Sequence, residues 1–494
     1  MKTTYTLYKR SKSGLVLSSV SLFCLSLLLV FTSCEDILEE QPKTVAVENF
    51  YNTAEEVETA TNAIYAPLRS TRAEHIAVLD AHTDWGYGRG SRAQYNDFEG
   101  FGATNISAAG ARWNSLYQGI RNANLVISNA PNGSSISQED IDKYVAEAKF
   151  LRALAYFDLV RNWGGVPLRT EENMTNIDLE RSSAQEVYDQ IIADLTEAET
   201  NLPEEPKHIG RPTRLAAKTM LADVYLNLER FAEARDKAYE VIQSNKYSLV
   251  PVESVEDFQM KLFGPEITTT PEEIFYFKYA REVNQGNWLL FVLNHPSTGL
   301  FNFGGAYAHY SDLTNPFHQS WNDEDIRKGL WDVVDFGLGS TTLVSKKYID
   351  KSAVSNAGAG NDLPIYRYAE VLLIYAEAAS RAAGGPTVEA VEALNQVHRR
   401  AYGFDPTTPS EVDFSMGDYN AETFLDLVLQ ERAYEFQFEG KRWLDLKRTG
   451  KAQEAIMSAK GKTIAEAHYL WPIPLDELNF NNALDPAKDQ NPGY

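Results

Sequence analysis

Cysteine is almost absent from this 494-residue chain, which contains only Cys24 and Cys34. Cys24 lies in an apolar N-terminal stretch with the composition of an export leader, so a cleaved, mature chain would keep one thiol. One thiol can form neither an intrachain disulfide nor a cysteine-based zinc site. Packing, hydrogen bonds and ion pairs therefore have to hold the fold together.

The signatures of several enzyme classes are missing as well. The sequence has no His-Glu-x-x-His, no Gly-x-x-x-x-Gly-Lys-Ser/Thr and no Gly-x-Ser-x-Gly, and its eight histidines are scattered. These patterns mark zinc peptidases, phosphate-binding loops and nucleophile elbows. We therefore predict no catalytic residue, no metal site and no cofactor.

Basic residues are scarce relative to acidic ones. The chain has 46 Lys and Arg against 69 Asp and Glu, a formal net charge of −23. Nucleic acid and anionic membrane surfaces are poor partners for such a chain, whereas neutral ligands fit it. No linker rich in Pro, Ser or Gly divides the sequence, so we predict a single large domain over residues 34–494 rather than several small ones.

The first 33 residues predict an export signal. Four basic residues and no acidic one precede an apolar stretch over about 14–31, and small polar residues then lead to Cys34. The sequence Phe31-Thr32-Ser33-Cys34 resembles a bacterial lipoprotein signal. We predict that residues 1–33 are cleaved and that Cys34 is lipidated, which anchors the chain without a transmembrane helix and takes its formal charge from −23 to −27.

Apolar residues at helical spacing predict an all-α fold. The clearest pair of helices covers 216–247, where small and apolar residues fall at spacings that resemble a tetratricopeptide repeat. Neighbouring hairpins would stack on it, because one hairpin cannot bury its apolar face alone. We predict a tetratricopeptide-like scaffold of helical hairpins at about 50–247 and 364–450. The segments with this spacing are 113–130, 141–160, 187–202, 215–228, 231–242, 368–383, 388–400 and 424–438.

Two segments have a different composition. Residues from about 248 to 364 are rich in Gly, Asn, Pro and aromatic side chains, and they predict a loop-rich insertion on the helical scaffold. Residues 82–101 have the same character. Loops held by a rigid scaffold commonly carry function.

Several short motifs occur in a fixed order along the chain. They are WNxxY at 113–117, IRNAN at 120–124, EAKFLRA at 147–153, GGVPL at 164–168, GRPT at 210–213, RYAEVLL at 367–373, YAEA at 375–378, EGKRWxDLxR at 439–448, WPIP at 471–474 and QNPGY at 490–494. Together they resemble the SusD/RagB family of Bacteroidetes outer-membrane lipoproteins from residue 37 to the C terminus.

This resemblance implies a SusD-like fold on the outside of the outer membrane. It also implies that the protein captures glycan without catalysis and that a SusC-like TonB-dependent transporter is its partner. The charged residues of the motifs stand beside aromatic residues in helices, so we interpret them as buried ion pairs that fix helix packing. Four tryptophans of the motifs are interpreted as structural: Trp113, Trp163, Trp443 and Trp471.

A neutral-glycan site needs flat aromatic surfaces flanked by hydrogen-bonding groups. The loop around Trp85 has that composition, and in the resembled family this loop region often contributes ligand aromatics. The alternative is that Trp85 and Tyr87 only pack the loop against the helices. The candidate ligand-binding residues of this loop are Asp84, Trp85, Tyr87, Arg89, Arg92, Tyr95 and Asn96.

A second candidate surface lies in the loop-rich insertion. Its candidate residues are Trp288, Tyr307 and Trp321, with Phe291, Tyr310 and Phe317 close by in sequence. An insertion of this size also needs a small aromatic core of its own, and that packing role is the stronger interpretation for these residues.

Two other functions stay open at this point. An all-helical glycoside hydrolase needs only two suitably placed carboxylates, and the 69 acidic residues do not exclude such a pair. A surface repeat scaffold would instead bind protein or peptide ligands on its concave face.

Overall fold

The computed structural model describes residues 50–494, and its helices carry most of the chain. The predicted leader and Cys34 lie outside the described residues. The helices are α1 Ala54–Ser70, α2 Arg72–Ala81, α3 Ile106–Asn129, α4 Gln138–Trp163, α5 Ala184–Asn201, α6 Arg214–Asn227, α7 Phe231–Gln243, α8 Val255–Asp257, α9 Leu289–Leu293, α10 Pro316–Gln319, α11 Tyr368–Ala383, α12 Val388–Ala401, α13 Ala421–Glu435, α14 Arg442–Arg448, α15 Ala452–Lys460, α16 Glu466–Tyr469, α17 Leu475–Phe480 and α18 Pro486–Asp489.

The long helices form one stack, and the all-α tetratricopeptide-like prediction is confirmed. Each of α4 to α7 packs against the helix before it, and α11 packs against α7, so the helices on either side of the insertion join. Local sequence sets where these helices begin. Thr53 with Glu56, and Ser183 with Glu186, form capping boxes that satisfy free backbone N–H groups at the starts of α1 and α5.

The sequence did not predict the short strands that organise the insertion and the loop around Tyr87. They are β1 Tyr87–Gly88, β2 Glu273–Phe277, β3 His309–Asp312, β4 Trp331–Val333, β5 Thr342–Ser345 and β6 Leu363–Arg367. One antiparallel sheet has the order β1-β3-β5-β4, and β2 pairs with β6 in a second one. Strands of two to five residues are too short to show a clear alternation of polar and apolar side chains, which is why the pattern of the sequence indicated only loops.

Buried charges tie the insertion to the helical stack. The guanidinium of Arg367, where β6 meets α11, is fully buried and lies 2.5 Å from Glu435, 2.9 Å from Glu439 and 3.3 Å from Glu272. Arg400 contacts Glu272 and Glu435 from the other side. The motif residues interpreted as structural ion pairs therefore do form a connected network in the interior.

Two other buried carboxylates, Glu431 in α13 and Asp445 in α14, make the free energy of unfolding depend on pH. Burial alone would raise the pKa of Glu431, but Arg327 and His398 outweigh it and lower the pKa to about 2. Burial likewise opposes ionisation of Asp445, and Arg432 and Arg448 lower its pKa to about 2.

A carboxyl group whose pKa is lowered by folding stabilises the fold above its unfolded pKa, and this contribution is lost as the pH falls through the folded pKa. We expect the free energy of unfolding to fall between about pH 4.5 and pH 2, by about 2 to 3 kcal/mol for each of Glu431 and Asp445. Urea unfolding at pH 7, 4 and 3 measures it. Asp445→Asn should reduce this slope, and a free energy that stays flat from pH 5 to pH 2.5 would contradict the assignment.

Residues Tyr51–Tyr494 group as one compact unit. Within the described range, no helix combines the length and the apolar character that crossing a bilayer requires.

Candidate functional site

The two loop segments that the sequence singled out meet in one sheet. Tyr87 in β1 lies opposite Tyr310 in β3, and Gly88 lies opposite His309. The rings of Tyr87 and Tyr310 stack with their centroids 5.4 Å apart and their planes 20° apart. Pairing across the strands therefore brings aromatic side chains from distant parts of the chain to one surface.

Half-buried aromatic rings continue from this pair. Phe336 lies 6.2 Å from Tyr310 and 5.1 Å from Tyr307, and it stacks on His295 at 5.4 Å with the two planes 14° apart. We call this surface the aromatic face. Its members are Tyr87, Arg89, His295, Tyr307, Tyr310 and Phe336.

Arg89 holds the loop against the insertion. Its Nη2 donates to the carbonyl of Ala306 at 2.9 Å, its Nε donates to the carbonyl of Tyr307, and its backbone N–H donates to Ala308. The guanidinium lies over the ring of Tyr307, 4.0 Å from the centroid. Among residues 50–494 no carboxylate lies within ion-pair distance of Arg89, so its remaining donors can serve a ligand.

Tyr307 adopts a left-handed backbone conformation, with φ of 38°. Such a conformation costs about 1 to 3 kcal/mol for a residue other than glycine, and it persists only where the surroundings enforce it. Here the neighbours enforce it, because the N–H groups of Ala306 and Ala308 donate to the carbonyls of Phe291 and Val292. The ring of Tyr307 is thus preorganised at the surface.

Phe336 is presented by the hairpin that joins β4 to β5. Gly337 and Gly339 have φ of 96° and 120°, values that other residues rarely adopt, so these glycines set the shape of the turn. Two further apolar side chains beside Phe336 face solvent, Val333 at 54% and Leu338 at 46% exposure. The hairpin extends the aromatic face with apolar surface.

The aromatic face carries little charge. Burial and the nearby Arg89 lower the pKa of His295, and burial raises the pKa of Tyr87 and of Tyr310. At neutral pH these three side chains are therefore uncharged, and Arg89 is the cation of the group. The described residues contain no cluster of three His, Cys, Asp or Glu side chains that could hold a metal ion.

Lys460 and Asn315 contact Tyr87. The ammonium of Lys460, at the end of α15, lies 4.2 Å from the ring centroid and donates to the carbonyl of Gly86, and burial lowers the pKa of this lysine to about 7. Asn315 donates from its side-chain amide to the hydroxyl of Tyr87 at 3.1 Å. Both contacts restrict the orientation of the ring.

Two further predicted residues, Trp288 and Arg92, contact each other. Trp288 is half-buried and packs beside Phe291, with 6.0 Å between the ring centroids. The guanidinium of Arg92 lies 5.5 Å from the ring of Trp288 and pairs with Glu74. Within the described residues neither side chain makes a ring or ion contact with a member of the aromatic face, and the charge of Arg92 is compensated by Glu74.

Trp85, the first candidate from the sequence, lies in the core. Its side chain has no solvent exposure, and its ring packs 5.2 Å from Phe438, 5.6 Å from Trp331 and 6.2 Å from Phe317. Gly86, next to Trp85, is required by the packing of the loop, because a Cβ at this position would collide with the carbonyl of Asp80. The packing alternative therefore describes Trp85.

The other four predicted residues are buried as well. Asp84 pairs with Arg442, at 3.1 Å between Oδ1 and Nε, and Asn96 bonds the N–H and the carbonyl of Gly88. Tyr95 packs on His82. Trp321 stacks on Tyr434 at 4.1 Å and donates to Asp325. These side chains hold the loops in place and do not belong to the aromatic face. The five buried residues are Asp84, Trp85, Tyr95, Asn96 and Trp321.

Sequence reasoning missed His295 and Phe336. His295 precedes Pro296 in a stretch with no repeated pattern, and Phe336 is one aromatic residue among several in the insertion. The available signal for Phe336 was its place in the segment Asp335-Phe336-Gly337-Leu338-Gly339, where glycines predict an exposed turn.

Comparison with known proteins places this architecture in a family. The model of the SusD family matches residues 334–494, and a second model, described as "Starch-binding associating with outer membrane", matches residues 37–226. SusD-like protein P2 of Formosa agariphila is 27% identical, with 95% of this chain and 98% of that protein covered.

Solved structures agree. A SusD superfamily protein from Parabacteroides distasonis superposes with a TM-score of 0.73 at 27% identity, covering 89% of this chain and 99% of that one. Surface glycan-binding protein A from Bacteroides thetaiotaomicron, in complex with laminarihexaose, superposes with a TM-score of 0.72 at 22% identity, covering 90% and 100%.

The protein is a helical-repeat protein whose loops and short strands form the aromatic face. The chain belongs to the SusD/RagB family.

Proposed function

We propose that the protein is a cell-surface lipoprotein that binds neutral oligosaccharide or polysaccharide at the aromatic face and delivers it to a SusC-like TonB-dependent outer-membrane transporter. The observation that carries the binding proposal is the aromatic face itself, above all the half-buried rings of Tyr307, Tyr310 and Phe336 beside Arg89.

The chemistry of this surface suits a sugar. A sugar ring presents apolar C–H groups on its faces and hydroxyls at its rim, so it packs on aromatic rings and exchanges hydrogen bonds with neighbouring polar groups. The tyrosine hydroxyls and the free donors of Arg89 supply such bonds. A net charge of −23 for the whole chain disfavours polyanionic glycans.

Relatives support the same ligand class. The family model for residues 37–226 is described as starch-binding, and the structural relative from Bacteroides thetaiotaomicron carries a bound laminarihexaose. The description of that model as "associating with outer membrane" supports the proposed location. Transfer to a transporter and the absence of catalysis are proposed from family membership.

Affinity electrophoresis tests the binding proposal. Native gels containing starch, laminarin, xylan or galactomannan should retard the chain in at least one case, and Tyr307→Ala with Phe336→Ala should remove the retardation. Phe480→Ala is the matched control, because Phe480 is 77% exposed and lies outside the aromatic face. Migration that none of the four polymers changes would contradict glycan binding, and release of reducing sugar would instead favour a hydrolase.

The lipid anchor has a separate test. In cells that express the full chain, we expect Cys34→Ala to move most of the protein from the membrane fraction to the soluble fraction, since the anchor provides the attachment. Immunoblots of the fractions measure this change, with Cys24→Ala as the control. Equal membrane association of the Cys34 variant and the wild type would contradict lipidation.

A further inference from the structure

A cleft lies beside α7, α11 and α12. It has a volume of about 620 Å³ and is lined by the end of α7, by Asn245 and several residues of 247–253, by the first residue of α11, by Gln396 of α12 and by the loop after α12. This volume falls within the range of about 300 to 1,000 Å³ that small-molecule sites commonly have. We call it the α7–α12 cleft. No residue of the aromatic face lines it, so it is a separate place on the molecule.

Aromatic rings form part of its wall. Tyr247 and Tyr368 have ring centroids 6.4 Å apart and planes 31° apart. Phe404, on the loop after α12, is 37% exposed although it is a large apolar side chain. Burial raises the pKa of both tyrosines, so their hydroxyls are neutral donors and acceptors at neutral pH.

The polar groups of the cleft are mostly uncharged. They are Gln243, Asn245, Ser248, Gln396 and Thr407. Its described lining contains two acids, Glu253 and Asp405, and no Lys, Arg or His. The carboxylate of Asp405 already accepts bonds from the N–H and the hydroxyl of Thr407. An anionic ligand would find no cation there, whereas a ligand with many hydroxyls would find amides and hydroxyls around aromatic surface.

We propose that the α7–α12 cleft is a second binding site for neutral oligosaccharide, a proposal that rests on the proposed function of the protein. Like the aromatic face, the cleft combines tyrosine rings with hydrogen-bonding groups, on different elements of the fold, but its hydrogen-bonding groups are mostly neutral. Its lack of a cation disfavours a peptide carboxylate as the occupant. Two sites on one anchored chain would hold a polysaccharide longer than either site alone, because release then requires both contacts to open.

Calorimetric titration of the leaderless chain with laminarihexaose and with maltohexaose tests the proposal. The wild type should bind two molecules of one of these sugars. Phe404→Ala and Tyr247→Ala should each keep only the sugar bound at the aromatic face. The double variant Tyr307→Ala, Phe336→Ala should keep only the sugar bound in the α7–α12 cleft. Tyr239→Ala is the control, because Tyr239 lies on α7, whose end lines the cleft, but stacks on Tyr375 outside the cleft. Urea unfolding of each variant confirms that it folds.

The outcomes separate the two proposals. If the wild type binds one sugar per chain, and this binding is lost in the aromatic-face variant but unchanged in Phe404→Ala, the second site is overturned. The proposed function would then stay intact. Binding of a proline-rich peptide at the cleft, with no sugar bound there, overturns the second site as well. A wild type that binds neither hexasaccharide and none of the four polymers overturns both proposals.

Discussion

Arg367→Met is expected to destabilise the protein by about 3 to 5 kcal/mol, a large part of the free energy of unfolding of a typical domain. The substitution keeps the volume of the side chain but removes a fully buried cation. Fewer positive charges then compensate the buried carboxylates of Glu272, Glu435 and Glu439, which water does not reach. The denaturation midpoint in urea at pH 7 measures this loss.

An exposed pair provides the matched control. Arg235 contacts Asp236 on the surface of α7, with side chains 41% and 61% exposed. Pairs of this kind contribute little, so Arg235→Met should change the free energy of unfolding by less than about 0.5 kcal/mol. If Arg367→Met stayed within about 1 kcal/mol of the wild type, the buried network would not have the structural role assigned to it.

The second large effect concerns ligand binding. We expect Phe336→Ala to weaken binding of the retarding glycan by about 10-fold to 100-fold, equivalent to about 1.4 to 2.8 kcal/mol. Phe336 touches His295, Tyr307 and Tyr310, so its removal opens the middle of the aromatic face. It lies in an exposed hairpin, and the fold should therefore keep its stability.

Calorimetric titration gives the affinities, and Phe480→Ala again serves as the exposed phenylalanine whose loss should leave them unchanged. Arg89→Met is the companion variant, because it keeps apolar contact with Tyr307 while it removes the hydrogen-bond donors. A normal affinity in both Phe336→Ala and Arg89→Met would place the ligand elsewhere.

Much of the helical fold followed from the sequence. Regular spacing of apolar residues predicted helices such as 215–228 and 231–242, and α6 and α7 have nearly these bounds. The motif charges were interpreted as buried ion pairs, which Arg442 with Asp84 and Arg367 with Glu439 confirm. These features are local or belong to a repeating pattern, so the sequence displays them directly.

The aromatic face was only partly predictable. Composition selected Tyr87, Arg89 and Tyr307 but could not distinguish them from Trp85, because both faces of a short loop contain the same residue types. Whether a ring packs inward or faces solvent depends on the pairing of β1 with β3, a contact between residues more than 200 positions apart. Hydrophobic spacing does not encode such a pairing. Phe336 reaches Tyr310 through the pairing of β5 with β3, which spacing does not display either.

The most direct test of the central claim is a crystal structure of the leaderless chain with the hexasaccharide of the glycan that retards it. The account predicts sugar rings packed on Phe336, Tyr307 or Tyr310, within about 4 Å of the aromatic carbons, with hydroxyls bonded to Arg89. A sugar bound only at surfaces that touch none of these side chains would contradict it.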